Sequence, residues 1–205
     1  MEFYPEELYH IYNRGNNRTP IFFDKKNYIF FLKKMKIHLS PYCHTLAWCL
    51  MPNHFHWLVK IKKESRMGDK SGKPSVNSEP VAELNKSIGV LLRSYTRAIN
   101  KAYKRRGSLF QQKTNSKNLN TGITLDDNYA LICFLYIHQN PVRAKLTNKL
   151  ASWEFSSYKD YLGTRNGVLC NKEMAQELLD LPNTKDSFGR FSLQTLPEHF
   201  QDRIF

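Results

Sequence analysis

The order of apolar patterns along the chain predicts an α+β fold, in which an antiparallel sheet carries helices packed on one face. Short aromatic or alternating segments, typical of strands, interleave with longer segments of helical spacing in the order β-α-β-β-α-β. This is the order of the split βαβ unit, so we expect a ferredoxin-like, or RRM-like, sheet. The 205 residues, of which 41% are hydrophobic, suffice for one such domain with appendages.

Each element follows from a local pattern and its boundaries. Strands are predicted over residues 8–15, 44–51 and 54–61, and a fourth within 104–119. Pro52 and Asn53 separate the second and third strands as a turn. Helices are predicted over residues 24–40, 81–103 and 171–180, and over a segment that starts at Leu125 and ends at Pro141. The helix that starts at Leu125 is expected to end at Pro141 because the residue before a proline avoids helical angles.

Polar segments interrupt and follow this pattern. Residues 62–80 combine Gly, Pro, Ser and charged residues without periodicity, which predicts a flexible insertion. The chain is less regular towards its C-terminus. We therefore divide it into a main domain of residues 1–163 and a C-terminal helix and tail of residues 164–205.

The charge of the chain indicates a polyanionic partner. Lys and Arg number 31 against 18 Asp and Glu, which gives a formal net charge of +13. A positive field of this size attracts nucleic acid, whereas a globular domain needs far less charge to stay in solution.

The sequence also favours a cytoplasmic protein without a membrane partner. Its longest apolar run, residues 130–137, is too short to cross a bilayer, and the N-terminal residues carry no basic-then-apolar signal pattern. None of the four cysteines forms a CxxC pair, so all are expected to be reduced thiols.

Two histidines, one residue apart, begin the third predicted strand. Because side chains alternate along a strand, His54 and His56 share one face while Phe55 enters the core on the other. Two neutral imidazoles on an open face could bind a metal ion, although histidine pairs without a ligand are common on surfaces. A zinc site that adds Cys and His residues of 43–49 is an alternative, but their spacing does not match structural zinc patterns.

The predicted helix before Pro141 carries a second set of reactive groups. Tyr136 and Asn140 are four residues apart, so they lie on one helix face, a turn from each other. The Asn140 amide oxygen is a hard ligand that could complete a two-histidine site for a divalent cation, with the Tyr136 phenol in reach. Taken alone, the helix is better explained by a packed tyrosine and a polar residue near a helix end.

Five motifs, in order along the chain, resemble those of a known family. They are YHIYNRGNNRTPIFFD (9–24), LAWCLMPNHFHWLVK (46–60), GSLFQQK (107–113), YIHQNPVRAKL (136–146) and WEFSSYKDYLG (153–163). Together they resemble the IS200-type single-tyrosine HUH transposases, and most closely the REP-associated tyrosine transposase branch. That branch commonly has asparagine four residues after the tyrosine, as this chain does at Asn140.

The resemblance implies a site and a reaction. The family's nucleophile maps onto Tyr136 and its His-hydrophobic-His motif onto His54 and His56, with Asn140 as a further ligand of Mg²⁺ or Mn²⁺. The implied activity cleaves single-stranded, hairpin-bearing DNA, leaving a 5′-phosphotyrosine link and a 3′-hydroxyl that can reverse the attack. Insertion-sequence relatives act as dimers and the REP-associated branch tends to act as monomers, so a monomer or a homodimer is expected.

Polar and basic residues near these motifs are expected to contact DNA phosphates. The candidates are Asn13, Arg14, Arg93, Arg97, Lys104, Arg105, Arg106, Lys113 and Arg143. Each could instead belong to a solvated basic face, so the cluster carries more weight than any single member.

Two other functions fit parts of the sequence. A basic, RRM-like sheet could bind RNA or DNA without catalysis, and the histidines would then be incidental. A metal-dependent hydrolase that uses water would need Asp or Glu near His54 and His56, and the sequence offers none there. The coincidence of HxH with YxxxN favours the transposase, because a binding module needs neither motif.

Overall fold

An antiparallel sheet with helices on both of its faces organises the protein. The computed structural model describes residues 1–63, 81–120 and 129–197. Within those ranges four strands form one sheet in the order β2-β3-β1-β4. The strands are β1 (Leu8–Arg14), β2 (Cys43–Met51), β3 (His54–Ile61) and β4 (Asn115–Asn118). The helices are α1 (Lys25–Leu39), α2 (Ala82–Ala102), α3 (Tyr129–Arg143), α4 (Tyr158–Tyr161), α5 (Lys172–Leu179) and α6 (Lys185–Phe191).

The predicted α+β class and ferredoxin-like order of elements are confirmed. Every strand pair in the sheet is antiparallel, and the strand order is that of the split βαβ unit. The predicted insertion lies outside the described residues from residue 64 to residue 80. Residues 121–128, which include the start of the predicted helix before Pro141, and residues 198–205 also lie outside them.

Local sequence explains where α1 begins and which face it buries. The Asp24 side chain accepts a hydrogen bond from the Asn27 amide at 3.0 Å, while the Asn27 side chain accepts one from the Asp24 amide, which is a capping box. The helix then buries apolar side chains at helical spacing, which pack on the sheet. They are Tyr28, Phe31, Met35 and Leu39.

The first core lies between the sheet and the pair α1 and α2. Phe55 and Trp57 of β3 point into it, and the Phe31 ring lies 5.4 Å from the Phe55 ring, centroid to centroid. The Tyr95 ring of α2 meets Phe31 edge-on at 4.8 Å, and its hydroxyl donates to the Ile21 carbonyl at 2.7 Å. Phe55 thus anchors β3 so that its neighbouring histidines face the other side of the sheet.

The second core lies under α3, on the opposite face of the sheet. The sequence placed the helices on one face, whereas the structure places α1 and α2 there and α3 on the other. The reason is that β2 and β3 also present Ala47, Cys49, Met51 and Leu58 to that second face, and all four are buried. Leaving this face open would expose their apolar surface to water, so a helix covers it.

The residues after position 163 hold α3 from its outer side. Leu179 of α5 and Phe188 of α6 belong to the same buried cluster as Phe134 of α3. The Gln139 side-chain amide donates to the carbonyls of two C-terminal residues, Ser192 at 3.0 Å and Gln194 at 2.9 Å. α3 is therefore packed between the sheet and the C-terminal helices, and the predicted helix over 171–180 is α5.

α3 continues through Pro141 to Arg143, although the sequence predicted that it ends at the proline. Pro141 lies in the last turn, where it removes one backbone donor and the chain can still complete the turn. The Ala144 amide donates to the Asn140 carbonyl at 2.9 Å, so the backbone around Asn140 remains helical.

The cysteines and the helices bear on two further expectations. All four cysteines are free thiols, as predicted. Cys43 lies in the first core, on the other face of the sheet from the histidines, and the described residues contain no group of three or more His, Cys, Asp or Glu side chains that could hold a zinc ion. None of the helices in the described ranges combines the length and the hydropathy that a bilayer span requires.

The buried His138 of α3 makes stability depend on pH. Its Nε2 lies 2.8 Å from the Ser157 hydroxyl, and burial lowers its pKa from 6.5 to about 3. Below pH ~6.5 the unfolded chain therefore binds a proton that the native state does not, and the free energy of unfolding falls.

His138→Gln keeps a polar atom that can hydrogen-bond to Ser157, but its side chain does not titrate. We expect its loss of stability between pH 7.5 and pH 5, measured by urea unfolding, to be about 2 kcal/mol smaller than in the wild type. Equal losses in both proteins would contradict this assignment.

Candidate active site

Alternation along β1 and β3 places one group of polar side chains on the face that α3 covers. In the register of the sheet, Tyr12 lies opposite His56 and Arg14 lies opposite His54. His10 precedes them on the same face of β1. The two histidines are thus not on an open face, as the sequence suggested, but beneath α3, and His56 is fully buried.

α3 brings the predicted tyrosine and asparagine to the histidine pair. The rings of His54 and His56 lie 5.0 Å apart and nearly perpendicular, and the Tyr136 ring meets His56 edge-on at 5.6 Å, centroid to centroid. Asn140, one turn further along, interacts with both His54 and Tyr136. Sequence spacing places His54 with His56 and Tyr136 with Asn140, and the fold brings these two pairs together.

The Asn53 side chain determines which nitrogen of His54 carries the proton. The Asn53 amide nitrogen donates to the Arg18 carbonyl at 3.1 Å, so its oxygen faces His54 Nδ1, 2.7 Å away. An amide oxygen only accepts, so His54 Nδ1 is the protonated nitrogen. Nε2 then carries the lone pair, and it is the atom through which His54 would bind a metal ion.

His56 makes a corresponding contact with a third histidine. Its Nδ1 lies 2.9 Å from Nε2 of His10, a residue of β1 that is 1% exposed, and the two ring planes are 15° apart. Both candidate ligands therefore use Nδ1 for a contact within the protein. For His56, as for His54, Nε2 is the nitrogen that would face a cation.

Burial keeps both imidazoles neutral. Desolvation lowers the pKa of His54 to about 4 and that of His56 well below its usual range, and the positive charge of Arg14 acts in the same direction on both. The interaction with Asn140 partly opposes this effect on His54. Neutral imidazoles are the form that binds metal ions, so near pH 7 neither ring has to lose a proton first.

The Tyr136 phenol is held in its protonated form. Its side chain is buried, 4% exposed, and desolvation raises its pKa above the ordinary value of 10. Arg143 and Asn140 both act to lower the pKa, and the Arg143 guanidinium carbon lies 5.9 Å from the centroid of the phenol ring. The phenol therefore needs added positive charge before it can act as a nucleophile.

The candidate donors for a divalent cation are two imidazole nitrogens and one amide oxygen. No group of three or more His, Cys, Asp or Glu side chains suited to a metal ion occurs in the described part of the chain. A site here would instead combine the Nε2 atoms of His54 and His56 with the Asn140 amide oxygen. The oxygen donor suits Mg²⁺, whereas the two imidazoles move the preference towards Mn²⁺, and three protein ligands would leave further positions open.

The predicted DNA-contacting residues fall into two regions. Arg14 lies opposite His54 in the sheet, and the Arg143 guanidinium lies over the Tyr136 ring. Arg93, Arg97 and Lys113 instead line two adjoining cavities, about 630 Å³ and 650 Å³, between α2 and residues 108–114. These two cavities share Arg93 and other lining residues, and we call them together the α2 groove. It lies on the side of the sheet that faces away from Tyr136.

The remaining candidates have different surroundings. Lys104 and Arg106 are exposed in the turn that follows α2, and the Arg105 guanidinium carbon lies 5.3 Å from the Phe23 ring centroid. Asn13 is 3% exposed, and its amide nitrogen donates to the Thr114 hydroxyl at 2.9 Å. Asn13 therefore fastens the segment after α2 to β1, and its DNA contact stays a prediction.

Sequence reasoning missed His10 and Asn53. Alternation along β1 could have placed His10 on the face of Arg14, but the register that sets it against His56 pairs residues 46 positions apart. The sequence predicts Asn53 only as a turn residue before β3. Its contact with His54 depends on the Arg18 carbonyl, which a distant loop supplies.

Comparison with known proteins agrees with the fold. No protein-family model matches the chain, and no curated protein matches its sequence. Among solved structures, a REP-associated tyrosine transposase bound to a REP hairpin is similar, with a TM-score of 0.53 and 15% sequence identity over 80% of this chain and 82% of that chain. At this identity the similarity shows a shared fold. It confirms the fold that the sequence resemblance implied.

The turn after β1 has no room for a side chain at Gly15. A Cβ atom there would lie 2.1 Å from the Thr19 carbonyl oxygen, and the Gly15 amide donates to the Asn53 carbonyl at 2.8 Å. We expect Gly15→Ala to lower the free energy of unfolding by about 1–3 kcal/mol, measured by urea unfolding, because backbone must move to relieve the clash. Gly189→Ala is the control, since its Cβ would meet no atom closer than 3.8 Å. A Gly15→Ala protein as stable as the wild type would refute the clash.

Proposed function

We propose that this protein is a single-strand DNA transposase, or nicking and joining enzyme, of the REP-associated, single-tyrosine type. The observation that carries the proposal is the placement of Tyr136 against His56, with Asn140 interacting with Tyr136 and His54. A nucleic-acid-binding sheet has no need for a tyrosine held over two neutral imidazoles. The shared fold with a tyrosine transposase supports the same function.

The reaction exchanges one phosphodiester for another. The Tyr136 oxygen bonds to the phosphorus of a DNA phosphate, and the bond from that phosphorus to the 3′ oxygen breaks. The phenol proton is transferred overall to the leaving oxygen, which becomes a free 3′-hydroxyl. Bond energy is conserved in the phosphotyrosine, so a 3′-hydroxyl can reverse the step and join strands without ATP.

The surrounding residues supply orientation and charge. Arg143 lies over the Tyr136 ring and favours the developing phenolate, and Arg14 adds a second positive charge beside the histidines. His54 and His56, with Asn140, would hold Mg²⁺ or Mn²⁺. A cation bound there would polarise a phosphate oxygen. The burial of Tyr136 keeps bulk water from competing with the phenol.

The substrate follows from the number of nucleophiles and from the surface charge. A single tyrosine cuts one strand at a time, so single-stranded DNA suits the site better than an intact duplex. The similar transposase structure is bound to a hairpin, and we propose a hairpin-bearing single strand as the partner here. The α2 groove, with Arg93, Arg97 and Lys113, would bind its phosphates on the other side of the sheet.

The tyrosine mechanism predicts a covalent adduct. We expect the wild type to form a denaturation-resistant adduct with labelled, hairpin-bearing single-stranded DNA in Mn²⁺, and Tyr136→Phe to form none, since only the phenol oxygen can attack. Tyr129→Phe is the control, because it removes a hydroxyl from the same helix, at a residue that contacts Lys117. Cleavage by Tyr136→Phe, or no adduct with the wild type, would exclude the mechanism.

The α2 groove predicts a change in the salt dependence of DNA binding. Each phosphate contact on single-stranded DNA contributes ~0.7 to the slope of log affinity against log salt concentration. We expect Arg93→Gln with Arg97→Gln to reduce this slope by about 1.4, measured by fluorescence anisotropy with a hairpin-bearing strand. Lys33→Gln with Lys36→Gln is the charge-matched control, since both lysines are exposed on α1 and outside the groove. An equal reduction of the slope in the control pair would show that the slope depends on the total charge of the protein and not on phosphate contacts in the α2 groove.

A further inference from the structure

The two candidate ligand histidines share one arrangement, in which each uses Nδ1 for a contact within the protein. For His54 the partner is Asn53, whose orientation is set by the Arg18 carbonyl. For His56 the partner is His10 of the neighbouring strand, at 2.9 Å. Asn53 can only present its acceptor, whereas His10 could either accept from His56 or donate to it. The role of His10 therefore needs a separate argument.

We infer that His10 is a positioning residue, which accepts a hydrogen bond from Nδ1 of His56 and so keeps the lone pair of His56 on Nε2. The inference rests on the proposed function, because that function requires His56 to bind a divalent cation through Nε2. Partners of this kind orient metal-binding histidines and set the tautomer. In this arrangement His10 carries its own proton on Nδ1.

His10 has a basic and an aromatic neighbour on the sheet. Lys117 lies directly opposite it on β4, and Tyr12 stacks against its ring at 4.9 Å, centroid to centroid. A neutral imidazole has one ring nitrogen that accepts, and in the inferred arrangement that nitrogen is His10 Nε2, which faces His56 Nδ1 at 2.9 Å.

Packing alone does not account for a histidine at this position. The residue is 1% exposed on the sheet face that α3 covers, and Leu58, directly opposite it on β3, belongs to the apolar cluster under α3. Burying an imidazole is costly unless its polar atoms are paired. The His56 contact pairs one of those atoms, and a role in orienting His56 explains why a polar side chain stands here.

The test compares variants of His10 with a matched buried histidine. His10→Leu removes the acceptor, His10→Asn keeps polarity but is too short to reach the place of Nε2, and His10→Gln can present an oxygen there. His138→Leu is the control, since His138 is also 1% exposed and hydrogen-bonded, but to Ser157. Circular dichroism melts identify the variants that fold, and His10→Asn replaces His10→Leu if the latter does not.

Mn²⁺ affinity, measured by electron paramagnetic resonance without DNA, is the first readout. We expect His10→Leu and His10→Asn to weaken Mn²⁺ binding about 10–100-fold, the usual effect of losing such a partner. His10→Gln should stay within about threefold of the wild type, and His138→Leu should be unchanged. A folded His10→Leu or His10→Asn protein with wild-type affinity would overturn the inference, as would an equal loss in His138→Leu.

The ¹⁵N chemical shifts of the histidine rings in the metal-free protein are the second readout. We expect His56 Nδ1 to be protonated in the wild type and in His10→Gln, and a shift towards Nε2 protonation in His10→Leu. A wild-type His56 protonated on Nε2 would refute the role of His10. This measurement needs neither metal nor DNA. It therefore decides the inference even if the wild type binds no Mn²⁺ and forms no adduct, an outcome that would instead refute the proposed function.

Discussion

The packing of α3 across the sheet is the interaction on which the candidate site depends. Its apolar residues, with those of β2, bury the histidine-bearing face, and the C-terminal helices hold it from outside. This one contact brings Tyr136 to His56 and Asn140 to His54. It also supplies the desolvation that keeps the imidazoles neutral and the phenol protonated. The packing of α3 therefore both stabilises the fold and sets the protonation states of the candidate site.

The same burial explains why the site needs partners beyond its reacting groups. An imidazole in an apolar core must have its polar atoms paired, or its burial costs free energy. Asn53 and His10 meet this requirement at Nδ1 of the two histidines, and in doing so they direct Nε2 away from those contacts. Stability and orientation are thus served by the same hydrogen bonds, which is how we interpret the polar cluster beneath α3.

The two faces of the sheet carry different parts of the proposed function. The reacting groups lie under α3, whereas the α2 groove with its arginines lies on the side of α1 and α2. Alternation along β1 produces this division within a single strand, because Arg14 lies on the α3 face and Asn13 beside the groove. In our proposal a DNA strand would contact both faces around the edge of the sheet.

Periodicity and capping, which are local, determined the strands, the main helices, the shared face of His54 and His56, and the one-turn separation of Tyr136 and Asn140. Such features repeat within a few residues, so the sequence alone shows them. The tertiary structure decided that α3 lies on the histidine face, that Asn13 is buried, and that His10 meets His56. These features depend on the strand register and on which face of the sheet carries apolar side chains that a helix must bury. Both join residues far apart in the chain, so local patterns cannot determine them.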